Sequence, residues 1–463
     1  MDNTYQDNLF ALGPIIGWVG HKEARILVEV SKPTTLVPIM TINETDSIEL
    51  PSIDAKPYTP ILYLLLDIPS GNDVRIEWNN NESCHFHVGD NTTLIPPNIT
   101  VEGVEVVQYR AKGLSKRETK STRVAVISCN GYSMLDGIDP PKESYQWKSL
   151  RDEYPNLMFH LGDQVYNDCV ILRYLDDEID IDGVREEIRN NYIKVWNVKE
   201  TKEMLRCCSN VMFYDDHEYR NDWSPNMHYY SGVGNFLMDW GNYNKRCVDV
   251  GGYPFCKKFV QFDKVAEEMY MKYQVILWGR KIIDIFSDNR RFVFLDSRSQ
   301  RDMNTYFGQQ INDLKKRLNL YEGPLYIMTQ SSPFTAKPYI LQYLKLLHSE
   351  AQDMWSYRQP WLDEYTELID IMYGKDGNKR EGAIIGGDLH IGQNFLIDGW
   401  LNHYTTSPIT TKTTVPMYDL LIRIFRPVYF GNHTTELVNQ NTTYNYLIID
   451  QNKPRQVMLE YQR

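Results

Sequence analysis

From about residue 123 onward, short apolar runs alternate with long segments of helical period, and this alternation most restricts the folds open to the chain. The apolar runs are Arg123 to Ser128, Leu157 to Leu161, Val211 to Tyr214, Phe292 to Leu295, Leu325 to Thr329 and Gly382 to Ile385. The helical segments between them are Ser144 to Tyr154, Leu172 to Leu205, Lys257 to Leu277, Gly308 to Leu318 and, with breaks, Tyr339 to Tyr373. Strands that alternate with helices predict an α/β arrangement. Two later apolar runs, Tyr446 to Ile449 and Gln456 to Tyr461, read as closing strands.

The first hundred residues follow a different pattern. Ala24 to Val30, Leu36 to Ile42, Ile61 to Leu66, Val74 to Trp78 and Val104 to Tyr109 are short and rich in Val and Ile. Turn clusters such as Pro69-Ser70-Gly71-Asn72 and Asn79-Asn80-Asn81 separate them. Short strands at this spacing predict a β-sandwich of fibronectin or immunoglobulin type over residues 8–111. The polar, basic stretch 112–122 reads as a linker, leaving 123–463 as the larger domain.

Charge and composition narrow the function classes. The chain carries 49 Lys+Arg against 61 Asp+Glu, a formal net charge of −12, and an acidic body repels phosphate backbones. No nucleic-acid partner is expected. With 32 tyrosines, 16 phenylalanines and 10 tryptophans, general disorder is excluded. No apolar run is long enough to predict a membrane span. The polar start, Met1-Asp2-Asn3-Thr4-Tyr5-Gln6-Asp7, has neither a basic region nor an apolar one. A cytoplasmic or unsignalled chain is the expectation, with secretion left open. Seven cysteines are too few and too odd for a disulfide framework, although six Asn-x-Ser/Thr sequons point toward secretion.

In open α/β sheets, ligands bind beyond the carboxyl ends of the strands. The first core strand ends in Ser128-Cys129-Asn130, and the second in Gly162-Asp163-Gln164-Val165-Tyr166-Asn167-Asp168. The third ends in Asp215-Asp216-His217-Glu218, the fourth in Asp296-Ser297-Arg298, the fifth in Gln330-Ser331-Ser332, and the sixth in Gly387-Asp388-Leu389-His390. One Asp after a strand is an ordinary turn or cap residue. Several carboxylates on one sheet edge repel each other unless a cation joins them. The pattern therefore points to a metal site.

These residues also resemble a known family. Gly162-Asp163-x-x-Tyr166, Asp216-His217-Glu218 and Gly387-Asp388-x-His390 are similar to the calcineurin-type metallophosphoesterase pattern. Ser128-Cys129, the doubled Asp215-Asp216, Asn221-Asp222 and Leu295-Asp296-x-Arg298-x-x-Arg301 narrow the resemblance to the PhoD-like (alkaline phosphatase D) branch. Gly308-Gln309-Gln310 and the opening Leu12-Gly13-Pro14-Ile15-Ile16-Gly17 fit the same branch. The wider superfamily opens its site with Asp-x-His, where this chain has Ser128-Cys129-Asn130, as PhoD-like members commonly do. It also lacks the usual imidazole after the fifth strand.

The resemblance implies a four-layer core of two packed sheets flanked by helices, behind an N-terminal β-sandwich. It implies a metal-dependent phosphoesterase that hydrolyses phosphate monoesters, diesters or both with a water activated by two metals. Asp163 would bridge the metals. Cys129, Tyr166 and His390 would complete a first position, whose soft, mixed donors suit iron or zinc. Asp216 and Asp388, with Asn221, Asp222 or Gln330, would make a second position of oxygen donors suited to calcium, manganese or magnesium. His217 would protonate the leaving oxygen or stabilise the transition state, with Asp215 or Glu218 orienting it. Arg298 or Arg301 would hold a phosphate oxygen or brace the carboxylates. The substrate would be a small-molecule, lipid or polymer phosphate ester, with the oligomeric state left open. The alternative is a catalytically weak scaffold on a phosphatase fold, against which stand Asp163, Asp216, His217 and His390, all present.

Overall fold

A computed structural model of the chain describes residues 9–79, 82–93, 99–132, 139–221, 223–225, 253–279, 284–302, 304–318, 321–331, 358–374, 377–411, 429–430 and 432–459. It is a mixed α/β architecture of several sheets. Asp222 and the segment from 339 to 357 lie outside the described residues.

Residues 10–110 contain two four-stranded sheets. One runs in the order Phe10–Gly20, Glu23–Val30, Ile61–Leu66, Glu105–Arg110. The other runs Asp46–Glu49, Ile39–Ile42, Asp73–Glu77, Ser83–His87. Both contribute to one apolar cluster, with Ile26, Val28 and Leu65 from the first and Met40, Ile42, Val74, Ile76 and Phe86 from the second. In Asp73–Glu77 burial alternates residue by residue, as a strand with one covered face requires. Phe10–Gly20 is buried almost throughout, so it shows no alternation. The short strand Thr92–Thr93 pairs with Asp284–Ser287 and so joins this region to the edge of the largest sheet.

Two sheets form the rest. The smaller runs Ser209–Met212, Leu157–His160, Val124–Ile127, Asn445–Asp450, Lys453–Met458. Its first three strands are parallel, and Asn445–Asp450 runs against them. The larger has nine strands, with Arg290–Leu295, Leu325–Ser331, Gly382–Gly387 and Leu401–Thr406 parallel at its centre. The antiparallel strands Gly392–Ile397 and His433–Asn441, which the apolar pattern did not reveal, extend it.

One cluster is shared between these two sheets. Val124, Val126, Phe159 and Val211 of the smaller meet Phe292, Phe294, Tyr326, Met328 and Ile385 of the larger. The other face of the smaller sheet, through Ala125, Ile127, Met158 and Met212, packs with residues of the helices Tyr145–Arg151, Asp168–Leu175, Ile181–Trp196 and Tyr253–Tyr270. The other face of the larger, through Val293, Leu295, Ile327 and Ile384, packs with Gln310–Arg317 and Gln359–Met372. The expected helix from Leu172 to Leu205 is broken into three. Asp180 accepts from the Gly183 amide at 2.8 Å and starts a new helix inside the acidic run. No described helix is long and apolar enough to cross a membrane, and no disulfide joins the described cysteines.

A buried histidine makes the fold acid-sensitive. His403, in the strand Leu401–Thr406, is fully buried, and the Tyr365 hydroxyl lies 2.8 Å from its Nδ1. Burial lowers its pKa to about 3. An unfolded His takes up its proton near pH ~6.5, so below that pH the unfolded state binds more protons. The stability is complete above about pH 6.5 and is lost as the pH falls toward about 3, by roughly 1.4 kcal/mol per pH unit. Urea unfolding from about pH 7 to about pH 4 should show a falling midpoint, with a shallower fall in His403→Gln. Equal slopes would place the acid sensitivity elsewhere.

Candidate metal centre

The strand Val124–Ile127 runs into Ser128 and Cys129, and Cys129 takes a left-handed backbone at φ 57°. Leu157–His160 runs through Gly162 (φ 112°) into Asp163 (φ 55°). Gly382–Gly387 runs into Asp388 (φ 72°) and His390 (φ 49°). Four side chains with metal-binding atoms thus stand on backbone that L-residues rarely adopt, and such strain concentrates at functional sites. Two glycines permit the close approach of these turns. A Cβ on Gly162 would fall 2.4 Å from the Asp215 Cβ, and one on Gly387 would fall 2.4 Å from the Ser128 Oγ.

The turns bring three groups of ligating atoms together around Asp163, each within 4.8 Å. They are Cys129, Asp163 and His390; Asp163, Asp216 and His217; and Asp163, Asp215, Asp216 and Asp388. The Cys129 thiol and the Tyr166 hydroxyl each reach the same carboxylate oxygen, Asp163 Oδ2, at 3.3 Å. Tyr166 Oη is also 3.0 Å from His390 Nε2. The hydroxyls of Ser128 and Ser407 lie 3.1 and 2.9 Å from the thiol sulfur.

The electrostatics of this pocket oppose its own anionic groups. Burial pushes the Asp163 carboxyl well above the usual carboxylate range, and Asp216, Glu218 and Asp388 push it further against the opposing His217. Asp215 is raised in the same way by burial, with the Arg298 guanidinium pulling it down. Burial and then Asp163 raise the Cys129 thiol and the Tyr166 phenol. Asp215 Oδ2 is buried without a hydrogen-bond partner among the described residues. A thiol, a phenol, an imidazole and four carboxylates packed this closely fit metal cations, which would hold the donors in their anionic forms.

Comparison with known proteins follows the same residues. Residues 124–238 match the family model of the PhoD-like phosphatases. Over that stretch the chain is similar to the PhoD-like phosphatases. A solved structure entitled "Structure of PhoD" superposes on 97% of this chain and 85% of that chain, with a TM-score of 0.61 at 13% sequence identity. A search of curated proteins gave no match.

The matched stretch contains Cys129, Asp163, Tyr166, Asp216 and His217. Asp388 and His390 come from beyond it, and the fold brings them to the same point. The Asn221 backbone amide donates to Asp168 Oδ1 at 2.8 Å, on the His217 side of the site.

The structure differs from two expectations, on what orients His217 and on Gln330. Asp215 and Glu218 are not what orients His217. Asp168, absent from the residues singled out in the sequence, has its carboxylate 2.7 Å from His217 Nδ1. Burial alone would lower the ring's pKa, but Asp168, Asp216 and Asp163 outweigh it and hold the pKa well above its ordinary value. Glu218 instead accepts from three amides, those of Asp163 at 2.9 Å, Gln164 at 2.7 Å and Asp215 at 2.7 Å, and burial pushes its carboxyl up to about 7. Of the two roles expected of Arg298, its contacts are those of the brace. It is 0% exposed and braces Asp215, Asp216 (3.1 Å) and Asp388 (3.4 Å). Arg301 packs beside the Tyr306 ring at 5.2 Å. Gln330 is not directed at the carboxylates of the centre. Its amide accepts from Ser297 N at 2.6 Å and donates to Asp296 at 3.1 Å.

Proposed function

We propose that this chain is a metal-dependent phosphoesterase that hydrolyses phosphate monoesters, diesters or both. The observation that carries the reading is the sharing of Asp163. One carboxylate belongs both to a set with Cys129 and His390 and to a set with Asp215, Asp216 and Asp388. On this reading residues 8–111 form an N-terminal β-sandwich domain, 112–122 a linker, and 123–463 a four-layer catalytic domain.

Cys129, Tyr166, His390 and Asp163 would hold a first metal ion, iron or zinc, by the softness of the sulfur and nitrogen donors. Asp163, Asp216 and Asp388 would hold a second, calcium, manganese or magnesium, with Asn221 and Asp222 the further candidates. Bound metals supply the positive charge that phosphate oxygens require and activate the attacking water.

The protein's own groups do the rest. Asp168 fixes the His217 ring through Nδ1, which leaves Nε2 to deliver a proton to the leaving oxygen. The Tyr166 ring lies against that imidazole, with centroids 4.2 Å apart, and restricts its tilt. Arg298 offsets the negative charge of three carboxylates and holds their spacing.

The test is elemental analysis of the purified protein beside turnover of p-nitrophenyl phosphate and bis(p-nitrophenyl) phosphate. Iron or zinc with a hard cation, and loss of turnover on chelation that these metals reverse, is the expected result. A protein that stays inert after reconstitution with iron and calcium would leave the scaffold reading in place.

A further inference from the structure

The helix Tyr253–Tyr270 does not end cleanly. It passes through a π-helical turn at Met271–Val275 and finishes with Ile276–Trp278. A π-turn adds a residue to the helix and loosens its ladder, and such turns recur where the shifted register aims a side chain. Tyr273, Gln274 and Val275 of this turn are buried.

Two successive side chains leave the turn for different regions. The Tyr273 hydroxyl donates to Glu29 at 2.7 Å, on the strand Glu23–Val30, while the Tyr273 ring stacks on Tyr192 at 4.9 Å. Gln274 Nε2 donates to Glu218 Oε1 at 2.9 Å and to the Tyr192 hydroxyl at 3.1 Å. Gln274 Oε1 has no hydrogen-bond partner among the described residues. A buried amide left half satisfied calls for a reason beyond packing. The reason offered by the geometry is Glu218, which ties the amides of Asp163, Gln164 and Asp215, the ends of the second and third core strands.

We propose that Gln274 is a positioning residue. The π-turn aims its amide at Glu218 and, through Glu218, fixes the spacing between Asp163 and the Asp215–Asp216 pair. The consequence for metal binding rests on the function proposed above; the clamp itself does not.

Hydrogen exchange resolved by mass spectrometry on Gln274→Leu tests the clamp without metal. Exchange in peptides spanning residues 161–166 and 213–217 should rise about 10-fold, with Val124–Ile127 unchanged. Zinc affinity, read by competition with a chelator, should weaken about 10- to 100-fold, the usual effect of losing a group that supports metal ligands. Lys272→Ala, in the same turn but paired with Glu268 at 2.7 Å, is the control and should change neither. If Gln274→Leu does not fold, Gln274→Met keeps the unbranched length and carries the test. Unchanged exchange at the Asp163 and Asp215 peptides overturns the proposal. So does equal loosening in Lys272→Ala, or unchanged zinc affinity beside a wild type that binds zinc. Loosened amides in a chain whose wild type binds neither zinc nor iron would overturn the metal centre and support the clamp.

Discussion

Asp163→Asn should abolish metal binding and phosphoester turnover together, yet raise the melting temperature of the metal-free protein. Both effects follow from one placement. Asp163 takes part in all three groups of ligating side chains, so neither proposed metal position survives its loss. We expect turnover to fall by at least about 10³-fold, which corresponds to about 4 kcal/mol of transition-state stabilisation. Without metal, however, the same carboxylate is buried beside Asp215, Asp216 and Asp388 and is held far from its ordinary pKa. Replacing it with an amide of the same shape removes like-charge repulsion and the cost of burying a charge. Calorimetric melting of chelator-treated wild type and variant, run beside elemental analysis, decides the matter. A variant that retains both metals, or one that melts lower than wild type after chelation, would contradict the assignment.

The second large effect belongs to His217. His217→Ala should keep its metals and lose about 10²- to 10⁴-fold in kcat, the usual size of a proton-transfer contribution. Asp168→Asn should lose on the order of 10²-fold or more, because an amide at Asp168 no longer fixes which ring nitrogen carries the proton. The leaving group separates this role from simple packing. Nitrophenolate departs with little help, whereas an alkoxide needs the proton. The His217→Ala deficit should therefore be larger for an alkyl phosphate than for p-nitrophenyl phosphate. Equal deficits on both esters would remove His217 from the proton-transfer step. Loss of metal in this variant would make it a ligand instead.

The sequence revealed some of this more readily than the rest, for physical reasons. Six of the seven parallel core strands stand out as apolar runs, because they are buried almost throughout. The side chains that follow them, from Cys129 to His390, could be read as one set because strand ends share an edge. Asp168 escaped notice because an Asp that opens a helix looks like an ordinary terminal residue, and Asp168 is the first residue of such a helix. Gln274 escaped because a π-turn shifts the register within a segment that still reads as helical. The strands Gly392–Ile397 and Leu401–Thr406 are half polar, with Gln393-Asn394 in the first and Asn402-His403 in the second. Their signal was the turn between them. Asp398-Gly399, both at positive φ, is a recognised hairpin dipeptide. Arg298 was left with two roles for another reason. A guanidinium at a strand end of this kind has two anions to face, a ligand's or the protein's own, and its burial and contacts show it against the protein's carboxylates.

The pairing of Val124–Ile127 with Asn445–Asp450 bears on when the protein acquires its chemistry during synthesis. The strand that ends at Cys129 sits between Leu157–His160, made soon after it, and Asn445–Asp450, made near the end of the described chain. His390 and Asp388 also emerge late. Between Asp163 and Asp450 the ribosome must add 450 − 163 = 287 residues, a delay of roughly 15–60 s at about 5–20 residues per second. Throughout that interval the nascent chain carries Cys129 and Asp163 on an unfinished sheet. Shortened products of translation would therefore be inert rather than weakly active. Metal capture would be a step that follows chain growth, in whichever compartment the finished chain meets its ions.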